Sequence, residues 1–415
     1  MAKSGAEAPF ETPVDVAIIG GGIVGRALAL ALADGGALTP VLIDRRPADA
    51  PPPGDERAVA LSASVVRMLD TLDVWPDVAD AAQPVLAMDV TDSELHEPVR
   101  PVFLTFDGAL EDGTAFAHMV PMGVLSRALD KALAAAGSPV RHGVSVQGFS
   151  RSQTEARIET AAHGTLAARL LVAADGSRSP LRSEAGIKTV GWSYDQFGLV
   201  TTVAHEEPHD GRAEEHFLPS GPFAILPLVG NRSSLVWTER TPAAKALLRL
   251  DRDALEAELA ERVPPHYGAV RLDGPMESYP LHLCLARDYI ADRFALVGDA
   301  AHAIHPLAGQ GLNLGFRDVA ALAEVLTDAA RLGLDPGSLA TLEDYQRWRR
   351  FDVMQFALVT DVLSRMFGAE FGPMRALRDI GMGLVDRVPR LKDRFMAEAA
   401  GLAGTPPRLM RGEIL

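Results

Sequence analysis

One cysteine, Cys284, stands alone in 415 residues. That excludes a disulfide framework, a thiolate zinc site and a Cys-x-x-Cys redox pair, and makes a reducing compartment the expectation. Positive charge is also short. Forty Lys and Arg face 55 Asp and Glu, a formal charge of −15, which argues against nucleic acid as a bulk partner. Lysine is nearly missing, with five against 35 arginines. The first fifteen residues carry Lys3, Glu7, Glu11 and Asp15, and fit neither a secretory signal nor an Arg-rich, acid-poor presequence. Long apolar runs are lacking too. The best of them, Val16 to Ala33, is broken by four glycines and by Arg26, so no transmembrane helix is expected.

What is present is a globular composition, 47% hydrophobic and 23% charged, in a chain long enough for two or three domains. The β-branched run Val14 to Ile19 stops at glycines, as a buried parallel strand does. A helical run from Val24 to Asp34 and a second buried strand from Pro40 to Asp44 complete a βαβ unit. After a Pro-rich loop, Pro47 to Gly54, an amphipathic helix is expected around Leu61 to Leu72. Ala87 to Phe106 and Phe197 to Cys284 alternate apolar and polar residues at strand-like spacing. Between them lie a helix from Val124 to Ala136 and a buried strand ending Leu170-Leu171-Val172-Ala173-Ala174. Another buried strand, Phe294 to Val297, precedes a helix from about Gly311 to Arg331.

The fold class expected is α/β: a Rossmann-like domain with an inserted, mostly antiparallel β-sheet domain and a C-terminal helical region. The nucleotide-binding domain would comprise residues 1–75, 111–185 and 286–344. The inserted domain would comprise residues 76–110 and 186–285, and the helical region residues 345–415. That last region holds twelve basic and eight acidic residues, leaving −19 for the remainder. Its residues Trp348, Phe351, Met354, Leu358, Val362 and Met366 recur at steps of three and four. The stripe is expected to pack on the nucleotide-binding domain. Arginines 347, 349, 350, 365, 375, 378, 387 and 390 could meanwhile face an anionic membrane or an acidic partner.

Three motifs carry chemistry. Gly20-Gly21-Gly22-Ile23-Val24-Gly25 fits G-x-G-x-x-G between strand and helix. Gly20, Gly22 and Gly25 allow a tight turn, close approach of a pyrophosphate and close helix–sheet packing. Asp44, 19 residues after Gly25, can accept hydrogen bonds from a ribose. Together they specify a dinucleotide site, although they do not separate NAD from FAD. Gly298-Asp299 follows a buried strand and can hold a polyol chain. Gly309-Gln310-Gly311-Leu312-Asn313 opens a helix and aims free N–H groups at an electron-rich target such as a reduced flavin. A third element, Asp175-Gly176, again follows a buried strand. His302 and His305 lack a suitable third ligand, so no metal is expected and they are read as shaping the flavin face. His282 and Cys284 are read as packing residues. Gly381-Met382-Gly383 lacks a third glycine and is set aside.

Three such elements in this order resemble the single-component FAD-dependent aromatic hydroxylases typified by 4-hydroxybenzoate hydroxylase. Within them the chain is most similar to the ubiquinone-biosynthesis (polyprenylphenol) hydroxylases. The likeness rests on Arg57-Ala58-Val59-Ala60-Leu61-Ser62, on the run from Val297 to Asp318 including Pro306, and on Tyr345-Gln346-Arg347 through Thr360-Asp361. It implies that Gly20, Gly22, Gly25 and Asp44 bind the ADP half of FAD. It assigns Asp175 and Gly176 to FAD and the pyridine nucleotide, and Gly298 and Asp299 to the ribityl chain. Arg57 falls near the flavin and pyrophosphate. Gly311, Leu312 and Asn313 complete the cofactor set, with Pro306, Gly309, Gln310 and Gly311 as flavin-face candidates. No catalytic side chain is named. Pro121 stands where small-phenol hydroxylases have a flavin-contacting glutamine.

The resemblance implies ring hydroxylation of a polyprenylated phenol through a flavin C4a-hydroperoxide, with FAD, O2, and NAD(P)H or another electron donor. The excess of arginine over lysine and the lack of a visible targeting segment make a bacterial cytoplasmic protein the expectation, peripheral to the inner membrane if it touches one. Other quinone-biosynthesis enzymes or a lipid-carrying accessory protein are the partners implied. The alternatives are a hydroxylase of a small soluble phenol or polyketide-like aromatic, and a non-catalytic prenyl-binding escort protein.

Overall fold

A computed structural model describes residues 13–50, 57–92, 102–107, 110, 113–304, 310–367, 400–402 and 404–415. Its first layer is a sheet in the order Ile290–Ala291, Phe294–Leu296, Thr165–Ala173, Val14–Ile19, Pro40–Ile43, Val140–Arg141. The last five run parallel. Parallel strands are buried on both faces and so read as continuous β-branched and aliphatic runs. Val16, Ala17, Ile18 and Leu170 through Ala173 are all fully buried. Two antiparallel strands, Ala156–Thr160 and Val146–Arg151, extend the far end of Thr165–Ala173.

The register decides where chemistry can occur. Ile19 pairs with both Ile43 and Ala173, and Ala173 pairs in turn with Leu296. The four strands therefore end at one level, and Gly20, Asp44, Asp175 and Gly298 emerge along a single edge. Ligands of open α/β sheets bind at such carboxyl ends.

Two helices close over this edge. Ile23–Asp34 starts at Gly22, and Gly311–Arg331 crosses it so tightly that a Cβ on Gly315 would sit 2.7 Å from Val24. Arg26, the charge that interrupts the apolar run, is buried and paired at 2.6 Å with Asp130 of the neighbouring helix Met122–Ala135. Among the described residues, no helix is long and apolar enough to cross a membrane.

A second sheet of nine strands is antiparallel except where Arg212–Leu218 runs parallel to Ala87–Asp92. One face carries Leu199, Phe223, Ile225, Leu235 and Trp237. Two helices, Thr241–Leu247 and Arg252–Arg262, cover it through Ala244, Leu247, Leu255 and Leu259. The strand-like reading of 197–284 misses these helices. Asp251 caps the second by accepting the Ala254 N–H at 2.9 Å, and Leu255 and Leu259 supply its apolar face.

The other face turns toward the first layer. Between them lies a small sheet, Ala58–Ser62, Ala117–Pro121 and Gln83–Val85. Residues 61 and 62, expected to begin a helix, complete a strand instead, and the helix is Ala63–Thr71. Antiparallel pairing of Leu61 with His118 and of Ser62 with Ala117 outweighs the local helical pattern.

The stripe read on the C-terminal helix is corrected. Leu339–Phe367 buries Leu342, Tyr345, Arg349, Val353 and Ala357, whereas Phe351 and Met354 are 72% and 56% exposed. Trp348 of the stripe is half-buried against the core, and the inward face combines apolar residues with the buried Arg349–Asp318 ion pair. Side chains 358–367, and with them Leu358, Val362 and Met366 of the stripe and Arg365, lie outside the described residues, as do Arg375, Arg378, Arg387 and Arg390.

A candidate cofactor site between two sheets

The glycine loop divides its labour in a way the fingerprint alone does not state. A Cβ on Gly20 (φ +121°) would strike the Ala174 carbonyl, and one on Gly25 would strike the Gly20 carbonyl at 2.0 Å. These glycines permit close packing. A Cβ on Gly21 would lie 2.1 Å from Asp44 Oδ2, whereas one on Gly22, which caps the helix, meets nothing within 4 Å. Open space therefore lies at Gly22, beside the unpaired N–H groups of a helix N-terminus.

Asp44 is buried and held by Arg46, which the sequence reading missed. The Arg46 guanidinium donates to Asp44 Oδ2 at 2.8 Å and to the Gly21 carbonyl at 2.7 Å. The only local hint is the Asp-x-Arg spacing, which lets the arginine fold back over the carboxylate. Asp44 and Arg46 line a cavity of about 470 Å³ with Arg26, Arg127, Asp130 and His142.

Asp175 and Gly176 stand at the next strand end. Asp175 Oδ1 is buried without a hydrogen-bond partner among the described residues. Burial pushes its carboxyl pKa up, against opposing hydrogen bonds from Ser179 and the Leu181 N–H and the charge of Arg182. Arg182 donates to the Ser177 carbonyl at 2.9 Å and the Ala300 carbonyl at 2.8 Å, which ties this loop to the Gly298-Asp299 loop.

Gly298 (φ +60°) donates its N–H to Asp318 Oδ2 at 2.8 Å. The same oxygen receives His302 Nε2 at 2.6 Å, and Oδ1 receives Arg349 Nε at 2.8 Å. Burial alone would raise the Asp318 pKa, but the charges and hydrogen bonds of His302 and Arg349 hold it below the usual carboxylate range. His302 is thus committed to Asp318, and the loop is anchored to the C-terminal helix. Asp299 is free of that anchor and accessible along the cleft. The protein mass around it pushes its pKa up, opposed by the positive potential of His302, His282 and Arg57. His282, read as packing, faces this acid electrostatically.

The helix Gly311–Arg331 makes its first internal bond from the Leu314 N–H to the Gln310 carbonyl, so the N–H groups of Gly311, Leu312 and Asn313 have no partner within it. A Cβ on Gly311 meets nothing within 4 Å. The Asn313 side chain is occupied: it accepts the Ser62 N–H and donates to the Ala60 carbonyl, both at 2.9 Å. Asn313 can offer its main chain to a cofactor, while its amide clamps the small sheet to the helix start. His305, Pro306 and Gly309 lie outside the described residues.

Arg57 closes the far side. Its guanidinium stacks over Tyr279 at 4.8 Å, and its Nε lies 3.6 Å from Glu277, buried and without a hydrogen bond. Pro121 and Arg57 both line a cavity of about 710 Å³ with Val200, Thr202, Ser234 and Leu228. The observations fit an elongated dinucleotide. Open glycines at Gly22 and Gly311, an orphaned Asp175 oxygen and an accessible Asp299 line one edge, and Arg57, whose Nε makes no hydrogen bond, faces it.

The FAD binding domain family matches residues 13–357. The ubiquinone hydroxylase UbiL of Rhodospirillum rubrum is 43% identical over 403 residues, 96% of this chain and 92% of that protein. The 3-demethoxyubiquinol 3-hydroxylase of Escherichia coli is 35% identical, covering 94% and 99%. The COQ6 ubiquinone biosynthesis monooxygenase of Danio rerio is 32% identical, covering 93% and 89%. Among solved structures, p-nitrophenol 4-monooxygenase from Pseudomonas putida superposes with a TM-score of 0.77 at 22% identity, covering 95% and 99%; it shares the fold. The chain therefore belongs to the FAD binding domain family, and it is an FAD-dependent aromatic-ring monooxygenase.

Proposed function

We propose that this protein hydroxylates the aromatic ring of a polyprenylated phenol in ubiquinone biosynthesis. One observation carries the reading beyond the relatives' names. One row of the nine-stranded sheet's face toward the cofactor edge is apolar, with Val200, Val236 and Ala224 side by side in register between rows that carry Thr202, Ser234 and Thr238. An apolar row suits a prenylated ring better than a small, water-soluble one.

FAD, once bound, supplies the oxygen-transfer chemistry. The chain's own work is binding and orientation. Gly20, Gly22, Gly25 and Asp44 would hold the ADP half, with Arg46 fixing Asp44. Asp175, Gly176, Gly298 and Asp299 would hold the middle, and the N–H groups of Gly311 to Asn313 would face the ring. Those N–H dipoles favour negative charge, so they stabilise a reduced, anionic ring over an oxidised one. The sheet and the small sheet exclude water around the substrate.

NAD(P)H or another donor and O2 complete the reaction. A polyprenyl substrate must be drawn from a lipid phase or a carrier, so contact with a membrane surface or a lipid-carrying partner belongs to the proposal. Exposed Phe351 and Met354 beside exposed Arg347 and Arg350 suit such a surface.

The test is turnover. Purified protein with FAD, NADPH and O2 is given a diprenylated phenol and, separately, an unprenylated phenol, and products are identified by mass. The proposal expects a product one oxygen heavier from the prenylated phenol, at a clearly higher kcat/KM. Equal or better turnover of the unprenylated phenol would replace it with the small-phenol reading.

A further inference from the structure

Along Arg212–Leu218, alternate residues face opposite sides of the sheet. Glu214 belongs to the helix-covered side, where its carboxylate takes hydrogen bonds from Tyr267 (3.0 Å) and His266 (2.8 Å). Ala213 and Phe217 belong to the opposite side. Ala213 packs with Phe116, Met119 and Leu228, and Ala58 and Ala60 pack against the same cluster. Glu215 stands between Ala213 and Phe217 and so shares their side, which looks toward the cofactor edge.

The register fixes its neighbours. Glu215 pairs with Ala224 on one flank and Val90 on the other. Ala224 continues to Val236, Val236 to Val200, and Val200 to Glu277, the partner of Arg57. Two acids thus punctuate an otherwise apolar row. Glu277 has its arginine, but Glu215 has no ion pair and no hydrogen bond among the described residues, and it is only 5% exposed. A buried carboxyl without a partner costs stability, so its presence calls for a ligand that satisfies it.

We propose that Glu215 accepts the hydrogen bond of the substrate's ring hydroxyl and so positions the phenol on the apolar row. This rests on the polyprenylphenol reading above. Burial pushes the Glu215 pKa up to about 8, which keeps it neutral near pH 7. No charged group flanks it in its row, since its neighbours there are Val90 and Ala224 and those along the strand on its face are Ala213 and Phe217. Glu214 and His216 lie on the other side of the sheet. A neutral acid avoids placing a full charge beside an apolar ring and still offers a carbonyl oxygen. Accepting the phenol proton's hydrogen bond also leaves the ring richer in electrons.

The experiment measures binding of a diprenylated phenol and of its O-methyl ether to the FAD-loaded protein, by perturbation of the flavin spectrum. Wild type, Glu215→Gln and Glu215→Leu are compared. One lost buried hydrogen bond corresponds to about a tenfold change in affinity. The expectation is that Glu215→Leu weakens the phenol about tenfold, leaves the ether nearly unchanged and erases the preference between them. Glu215→Gln keeps a carbonyl acceptor and should stay within about threefold of wild type. FAD content reports whether each variant is folded. If Glu215→Leu retains both the wild-type affinity and the wild-type preference for the phenol, Glu215 is a packing residue and the proposal is overturned. If the wild type binds neither prenylated compound, the polyprenylphenol reading fails first and the proposal falls with it.

Discussion

Arg349 offers a strong test of how the cofactor edge is held. It sits on the C-terminal helix with a side chain 1% exposed, and its partner Asp318 is fully buried. Replacement by methionine keeps the volume and removes the charge. Asp318 would then retain only the Gly298 N–H and His302, while its burial penalty would be unchanged. The second Arg349 contact, to the more accessible Asp352, contributes little by comparison. Breaking one partner of a buried pair costs about 3–5 kcal/mol, and the surviving His302 places the expected loss near about 3 kcal/mol. Because Asp318 anchors Gly298, FAD should also dissociate more readily. Urea unfolding of the holoprotein, followed by tryptophan fluorescence and by FAD release, measures both effects. The double variant Asp318→Asn/Arg349→Met removes the stranded charge and should recover part of the loss, giving a coupling well above about 0.5 kcal/mol. The sign with pH follows from the depressed Asp318 pKa. Its contribution is present above the unfolded value of 3.8 and is lost as pH falls through the lower folded value. In Arg349→Met that loss should begin at higher pH. A single variant within about 1 kcal/mol of wild type, with FAD retained, would refute the account.

Other outcomes separate the glycines and the clamps. Gly21→Ala drives a Cβ into Asp44 and should weaken both the apoprotein and FAD binding, whereas Gly22→Ala, with open space around it, should leave apoprotein melting unchanged and lower FAD affinity alone. Asn313→Ala removes two buried hydrogen bonds to the Ala58–Ser62 strand and should cost about 1–3 kcal/mol in denaturant unfolding. Glu215 has a folded pKa of about 8 against 4.5 unfolded, so its contribution is full below 4.5 and is lost as pH rises toward 8. Glu215→Gln, which does not titrate, should therefore gain on wild type by about 1.4 kcal/mol per pH unit across that window; a flat difference would show that Glu215 ionises freely. Replacing Gly311 with a bulky residue should lower the flavin potential or displace the flavin, and an unchanged potential at full occupancy would move that helix start away from the ring.

The strand ends that form the candidate cofactor edge were legible in the sequence because their parts are local. A β-branched run ending in glycine is a strand and a turn wherever it stands. Gly20 to Gly25, Asp175-Gly176 and Gly298-Asp299 each carry their own strand end with them. The sequence alone also excluded a disulfide within the chain, because a single cysteine has no partner there. Only the tertiary structure aligned Ile43, Ile19, Ala173 and Leu296 at one level, since strand register is a long-range property. Only it showed Arg46 folded onto Asp44. It also turned Arg349 inward: hydropathy reads an arginine as exposed, and what buries it is a carboxylate 31 residues away in sequence. Glu215 shows the same limit. Glu214 and Glu215 are adjacent and chemically alike, yet strand alternation sends one to a tyrosine and a histidine and the other to an apolar face. Which face meets the cofactor depends on how the two sheets pack, and that is decided by contacts between residues far apart in the chain.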